Sequence, residues 1–432
     1  MSSNVPSATD LSRFSEAHRA FAESLFEEIR VLSASPAPGR GVTRFGYDEV
    51  ETEVLKALEA RGRALGLTIE YDAAGHLHMR YPGRNPDLPA VWCGSHADSV
   101  WDGGNYDGLA GIVAALVTAR AMREDGFVPD RDFVVLAIRC EEPGVTGSRA
   151  MMGQLTDADL GRRWTPESPT LAERLAALGL DPRRLKTGEP VVDLKKIAAF
   201  LELHIEQGVR LDQPKSPRVA LVTGIRGMVY HRVIHCYGET AHAGAVDYPF
   251  RHDALQAAMR LAVTMQDRWA ERVAKGDDLV FTTGILQTDP TAIYNGIPGH
   301  VRFSLDLRSL SVETRERFYA EYRAEADRIA ERAGVRFEFD PPGYLVPQVS
   351  DEGLLARLDR AAQRVGVPVL REPSGAGHDS QTFGGVGVPF VMLFVANQNG
   401  SHNPDEAMEI DDFLAGTAIL YDAIRHFDAE PA

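Results

Sequence analysis

Residues Val91–Val117, VWCGSHADSVWDGGNYDGLAGIVAALV, decide how this chain is read. Val91–Gly94 is a short apolar run of the kind that forms a buried strand in a parallel sheet. Ser95–Gly111 is rich in Gly, Asp and Ser and cannot be regular structure throughout. An apolar helix pattern begins at Ile112. In open α/β sheets, ligands and catalytic groups gather where strands end and loops begin. This loop carries His96, Asp98, Asp102 and Asp107. His96 and Asp107 stand eleven residues apart on a glycine-flexed loop and could converge on one divalent cation, since His and carboxylate are ordinary metal ligands. The same residues also read as a solvated acidic loop with one surface histidine.

Working outward, helix patterns at Ser12–Leu32 (Phe14, Phe21, Leu25 and Ile29 on one stripe), Tyr47–Leu65 and Ile112–Asp125 alternate with strand patterns. The strands are a pair over Thr68–Arg80, then Val91–Gly94, Phe133–Arg139 and Phe200–His204. That alternation predicts an α/β layer fold. Between Val219 and Tyr344 the pattern changes. Strands at Val229–His235, Leu279–Leu286, Val301–Leu307 and Val335–Asp340 enclose helices at His252–Val273 and Val312–Ala333, a β-α-β-β-α-β order. After Pro347 the α/β pattern resumes with Leu354–Val365, Val388–Val395 and Phe413–Phe427. The expectation is a discontinuous catalytic domain over 1–221 and 344–432, with a mixed sheet flanked by helices. An inserted α+β lid and dimerisation domain occupies 222–343.

The chain's 432 residues suffice for two or three domains. No apolar run approaches the roughly 20 residues that span a bilayer, and no signal pattern opens the chain, so no membrane partner is expected. Cys93, Cys140 and Cys236 lie apart beside apolar residues and read as reduced core thiols, which fits a cytoplasmic protein. A net charge of −16 argues against a nucleic-acid partner.

Four strands of the larger domain end in polar clusters: His96, Asp98 and Asp107; Glu141 and Glu142; His204, Glu206 and Gln207; and the loop Asn397–Pro404 with His402. A lone His beside a strand is usually packed or solvated, and adjacent glutamates are usually surface charge. Their joint placement is the signal. The inventory fits a hydrolytic site of two divalent ions bridged by a carboxylate and a water. One Glu must stay off the ions to take the proton from that water. Nitrogen and oxygen ligands without thiolate suit Zn, Mn, Co or Ni.

The motifs GSHADS, GGNYDG, Glu141-Glu142, ELHIEQG, TAHAG, SGAGHD and SHNPDEAM resemble those of aminoacylase/carboxypeptidase-type di-metal hydrolases. The match is to the hydantoinase/carbamoylase group, which holds N-carbamoyl-L-amino acid hydrolases, β-ureidopropionases and allantoate and ureidoglycolate amidohydrolases. It runs from about Phe14 to Phe427. The resemblance implies two divalent ions per subunit. His96, Asp107 and His204 hold one; Asp107 (bridging), Glu142 and His402 hold the other. Glu141 is the implied general base, and Asp98 orients His96. Gln207, Gly375, Asn295 and Arg308 bind substrate. Arg308 grips a carboxylate, and His242 donates to the developing oxyanion. A homodimer through the inserted domain is also implied. His378 and Asp379 either act in the site or organise their glycine loop, while His231, His235 and His252 read as bland.

Two departures from the family pattern stand out. Only Pro143–Thr146 separates the Glu pair from Gly147-Ser148-Arg149-Ala150, and Ala245–Pro249 replaces the usual Thr-Pro-Met after His242-Ala243-Gly244. The expected activity is metal-dependent cleavage of the ureido C–N bond of an N-carbamoyl-L-amino acid, with release of ammonia and carbon dioxide. The alternatives are an allantoate or ureidoglycolate amidohydrolase and an N-acyl-amino acid amidase or dipeptidase. A fourth reading, an inactive binding protein, calls for a lost ligand or base, and none is lost.

Overall fold

The computed structural model describes residues 11–429. In chain order the first elements are α1 (Leu11–Leu32), α2 (Glu49–Ala64), β1 (Thr68–Tyr71), β2 (Leu77–Tyr81), β3 (Ala90–His96), α3 (Leu109–Glu124) and β4 (Phe133–Ile138). Then come α4 (Thr146–Met151), α5 (Asp157–Leu160), α6 (Leu171–Ala177), β5 (Ile197–Ile205) and β6 (Val219–Ile225). A second run follows: β7 (Gly227–Tyr237), β8 (Ala241–His242), α7 (Ala254–Ala274), β9 (Val280–Thr282), β10 (Leu286–Thr288), β11 (Gly296–Ile297) and β12 (His300–Ser309). It closes with α8 (Val312–Ala333), β13 (Arg336–Phe339), β14 (Gly343–Leu345) and β15 (Gln348–Val349). The chain ends with α9 (Glu352–Val365), β16 (Val369–Ser374), α10 (Asp379–Gly385), β17 (Phe390–Val395) and α11 (Ile410–Arg425). Two compact units result: Met1–Gly224 with Ser350–Ala432, and Ile225–Val349.

The first unit is built on a mixed sheet ordered β1-β2-β4-β3-β5-β17-β6, with β16 beside β6. β3, β4, β5 and β17 run parallel; β2 and β6 run antiparallel to their neighbours β4 and β17. β3, β4 and β17 are buried along their whole length, which is why they read as unbroken apolar runs rather than alternating ones. α3 is buried at thirteen of its sixteen residues, so it shows little amphipathic character. Leu25, Ile29, Leu116, Phe413 and Leu420 share its core. The side chain of Phe14, placed on the α1 stripe from sequence, lies outside the described residues. Asp48 and Asp351 cap α2 and α9 by accepting from the backbone N–H of Glu51 and Leu354. The parallel register matters most for function: His96, Glu141, His204 and the loop after Val395 all emerge at the C-terminal end of the sheet.

The second unit is a sheet ordered β10-β12-β7-β13, with β14 on β7 and β9 on β12, plus a β8–β11 ribbon. Alternate residues of β7 and β12 are buried, and α7 and α8 supply Leu261, Met265, Phe318 and Tyr322 to that core. The expected single strand over Leu279–Leu286 is instead two. β9 pairs with Asp306–Arg308 and β10 with Val301–Phe303, and Thr283–Ile285 between them belongs to neither strand. No helix among the described residues is long and apolar enough to cross a membrane.

Gly94 exposes how tightly β3 and β4 are seated, since a Cβ there would lie 1.8 Å from the Leu136 carbonyl oxygen. Gly94→Ala is expected to cost at least about 2 kcal/mol in urea unfolding. Gly161→Ala, whose Cβ meets nothing closer than 3.4 Å, is expected to stay within about 0.5 kcal/mol of the parent. Equal stabilities for the two variants would contradict the packing described.

Candidate metal centre and active site

His96 closes β3 and His204 lies one residue from the end of β5, so the sheet register brings two imidazoles side by side with their Nε2 atoms 3.5 Å apart. Asp107, at the far end of the glycine-rich loop, points Oδ1 between them, 3.5 Å from His96 Nε2 and 3.2 Å from His204 Nε2. Its Oδ2 faces the other way, 3.3 Å from His402 Nε2, and His402 Nε2 is 3.3 Å from Glu142 Oε2. A tetrahedral zinc site with bonds of about 2.0–2.1 Å has donor–donor edges of about 3.3 Å. The three edges of the first triad, 3.2–3.5 Å, and the two edges through His402, 3.3 Å each, are close to that length. The tautomers agree: His96 Nδ1 donates to the Asp98 carbonyl at 3.2 Å and His204 Nδ1 to the Ile205 carbonyl at 2.9 Å, which leaves each Nε2 lone pair facing the cluster. The donor set therefore fits divalent metal.

A third grouping, Glu202, His204 and His378, is of another kind. Glu202 already accepts from Ser95 Oγ at 2.7 Å and from the Ser380 N–H and Oγ at 3.0 and 2.6 Å. His378 Nε2 pairs with Ser374 Oγ at 2.9 Å. These groups are satisfied by protein, and His378 packs edge-on against His204. Asp379, fully buried, is raised to about 8 by burial and by the charge of Glu202.

The glutamate pair sits on a strained turn. Cys140 adopts φ 60°, a left-handed conformation uncommon for a side-chain-bearing residue. Two carboxylates hold it there. Asp98 accepts from the Glu141 N–H at 2.8 Å and the Glu142 N–H at 3.1 Å. Buried Glu51 accepts from the Cys140 N–H at 2.9 Å, the Tyr47 N–H at 2.7 Å and Arg139 Nε at 2.6 Å. Glu141 coordinates with neither triad; its Oε2 lies 3.9 Å from His96 Nε2. Burial, reinforced by Asp379, Glu142 and Asp98 against the opposing pull of His96, holds its carboxyl well above the ordinary carboxylate range. Burial also works against ionised Asp107, but hydrogen bonding to His204, His402 and His96 outweighs it and holds that carboxyl well below its ordinary value.

Gln207, at φ 60°, donates Nε2 to Asp107 Oδ2 at 2.9 Å, while its buried Oε1 has no hydrogen-bond partner. Gly375 lies in the exposed loop between β16 and α10. Asp102 and Glu206 stand apart from the cluster: Asp102 accepts from the Arg40 and Gly41 N–H groups, and Glu206 from those of Arg210 and Leu211. In the second unit, His242 and Asn295 line one cavity of about 380 Å³. His242 Nδ1 accepts from the Gly244 N–H at 3.1 Å, so Nε2 carries the proton of the neutral ring. Arg308 lines a different cavity, its guanidinium forked onto Asp306 at 2.8 and 2.6 Å.

Two supporting residues were invisible in the sequence reading. Glu406 accepts from the Tyr106 and Asp107 N–H groups at 2.9 and 3.2 Å and from Ser401 Oγ at 2.7 Å, tying the Asp107 loop to the His402 loop. Its place in SHNPDEAM was the available signal. Glu51 carried no such mark, being one of several glutamates on an amphipathic helix.

Comparison with known proteins places these residues in context. The model of peptidase family M20/M25/M40 matches residues 91–426. An N-carbamoyl-L-amino acid amidohydrolase of Geobacillus stearothermophilus is 35% identical over 409 residues, 93% of this chain and 97% of that protein. A ureidoglycolate hydrolase of Oryza sativa subsp. japonica is 32% identical over 91% of this chain and 81% of its own. The crystal structure of an amidase of the hydantoinase/carbamoylase family from Burkholderia multivorans superposes with a TM-score of 0.85 at 27% identity, covering 96% of this chain and 98% of that one. With the matched region spanning both units of the fold, the chain belongs to peptidase family M20/M25/M40.

Proposed function

We propose that this chain is a metal-dependent amidohydrolase that cleaves the ureido C–N bond of an N-carbamoyl-L-amino acid or a related ureido acid. The observation that carries the reading is the division of labour around Asp107: each oxygen faces its own histidine set, and Glu141 is left free beside them. The relatives at 31–35% identity named as N-carbamoyl-L-amino acid amidohydrolases support the substrate class. The rice relative keeps ureidoglycolate as a second candidate.

His96, His204 and Asp107 would hold one divalent ion, and Asp107, Glu142 and His402 the other, with Zn, Mn, Co and Ni all compatible with these donors. Ions bound there supply Lewis acidity toward a carbonyl and ready a water for attack. Glu141 takes the proton of that water at its carboxylate and returns it to the leaving nitrogen. Its raised affinity for protons suits it to both roles. Gln207 Oε1, buried and unpartnered, accepts from a ureido N–H. Gly375 offers backbone groups beside the substrate. His242, with its proton on Nε2, donates to the oxyanion. Arg308 recognises the substrate carboxylate with the fork that holds Asp306, and Asn295 binds substrate beside His242. For a carbamoyl substrate the products are the amino acid, ammonia and carbon dioxide. The second unit is the proposed dimerisation element. The buried free thiols Cys93, Cys140 and Cys236 accord with a cytoplasmic setting.

The test is ammonia release by manganese-reconstituted protein from N-carbamoyl-L-amino acids, β-ureidopropionate, allantoate and ureidoglycolate, each with a chelator control. Chelator-sensitive ammonia from one of them is expected; none from any would shift the substrate to N-acyl or peptide compounds. Glu141→Gln should lower turnover roughly 10²–10⁴-fold with metal content intact, and near-parental turnover would remove Glu141 as the base. Asp98→Ala, which frees both glutamate amides and removes the carboxylate 3.4 Å from His96 Nδ1, should weaken metal affinity roughly 10–100-fold in a chelator competition. An unchanged affinity would show that the ligands hold their places without it.

A further inference from the structure

We infer that Arg44 is a positioning residue for the metal ligands, a brace across the loop that joins His96 to Asp107; the inference rests on the metal site proposed above. Arg44 is fully buried, the bulkiest side chain among the described residues to be so. A guanidinium in that position is costly unless it is compensated. Among the described residues it makes no ion pair within 4 Å, unlike buried Arg139, which is clamped by Glu51.

Its hydrogen bonds go instead to neutral acceptors, two of them at the ends of the ligand loop, and its buried Nη2 has none. Nε donates to the carbonyl of Ala97, the residue between His96 and Asp98, at 2.8 Å. Nη1 donates to Asn105 Oδ1, two residues before Asp107, at 3.1 Å, and to Ser33 Oγ at 3.2 Å. Asn105 is itself fixed to α1 through the Phe26 carbonyl at 2.9 Å. The Arg44 backbone joins the same loop: its N–H donates to Ser99 Oγ at 3.0 Å and its carbonyl accepts from the Ser99 N–H at 2.9 Å. One side chain thus sets the separation of the loop ends that carry His96 and Asp107.

The charge has its own use. Asp98, Glu406, Asp107 and Glu142 all act electrostatically on Arg44. A salt bridge to any of them would occupy a lone pair that an ion or a backbone amide needs. Held on carbonyl and amide oxygens, the guanidinium offsets the crowd of carboxylates and leaves their oxygens open. Lysine, with one compact nitrogen, cannot reach two diverging acceptors, so the planar fork is what the position selects.

Arg44→Lys keeps the charge and removes the fork. Manganese affinity is measured by competition with a chromophoric chelator, alongside circular dichroism and melting of the metal-free protein and turnover against manganese concentration. Arg44→Lys is expected to keep its secondary structure, bind manganese roughly 10–100-fold more weakly and regain turnover as manganese is raised. Ser33→Ala removes an Arg44 acceptor that lies outside the ligand loop and is expected to leave affinity within about twofold. Parental affinity in Arg44→Lys would overturn the inference and reduce Arg44 to core filling. Should Arg44→Lys not fold, Asn105→Ser, which cuts the brace at one end only, should show a smaller loss, and parental affinity in it would equally overturn the brace. Parental protein that binds no manganese, zinc, cobalt or nickel would fail the metal-site reading itself, an outcome separate from either variant result.

Discussion

Everything at the site depends on one carboxylate. Asp107 has two oxygens that face opposite histidine sets, and nothing else in the cluster serves both. The surroundings are arranged to keep it there and ionised. Its N–H is held by Glu406, its Oδ2 receives Gln207 Nε2, and three imidazoles keep its proton affinity low against the effect of burial. Gly108 follows at φ 68°, where a Cβ would lie 2.4 Å from the His96 ring, so the chain turns into α3 without pushing Asp107 and His96 apart. A side chain at that position would cost both backbone strain and the place of the His96 ring.

The same economy appears in the glutamate pair. Glu141 and Glu142 are neighbours in sequence yet occupy different environments because the turn at Cys140 sends them apart. Asp98 fixes both amides, and Glu142 is also linked to the loop by the Val100 N–H at 3.2 Å. One glutamate joins the His402 triad and the other stays clear of both triads. Two adjacent glutamates keep such different environments only if the backbone between them is rigid, and Glu51, Arg139 and Asp98 all hold that one short turn.

Much of this was legible in the sequence, for a physical reason. His96, Glu141, Glu142, His204 and His402 each follow an apolar run that reads as a buried strand, and parallel strands deliver their ends to one edge. Asp107 was legible because the glycines around it leave the loop free to fold back. Arg44, Glu51 and Glu406 were not. They act by long-range hydrogen bonds that leave no periodic trace; on paper Arg44 and Glu51 are two more surface charges, and Glu406 is marked only by its place in SHNPDEAM. Leu279–Leu286 reads as one strand because it is largely apolar and β-branched, whereas the structure breaks it at Thr283–Ile285, around Gly284. The assignment of β6 to the large sheet rests on its antiparallel pairing with β17, a contact between residues far apart in the chain.

The central claim is that Asp107 is shared by two ions. Anomalous scattering from crystals soaked in manganese tests it most directly. The account predicts two peaks on either side of the Asp107 carboxylate, roughly 3.5–4 Å apart, one against His96 and His204 and one against Glu142 and His402. A single peak, or a peak seated between Glu202 and His378, would contradict it.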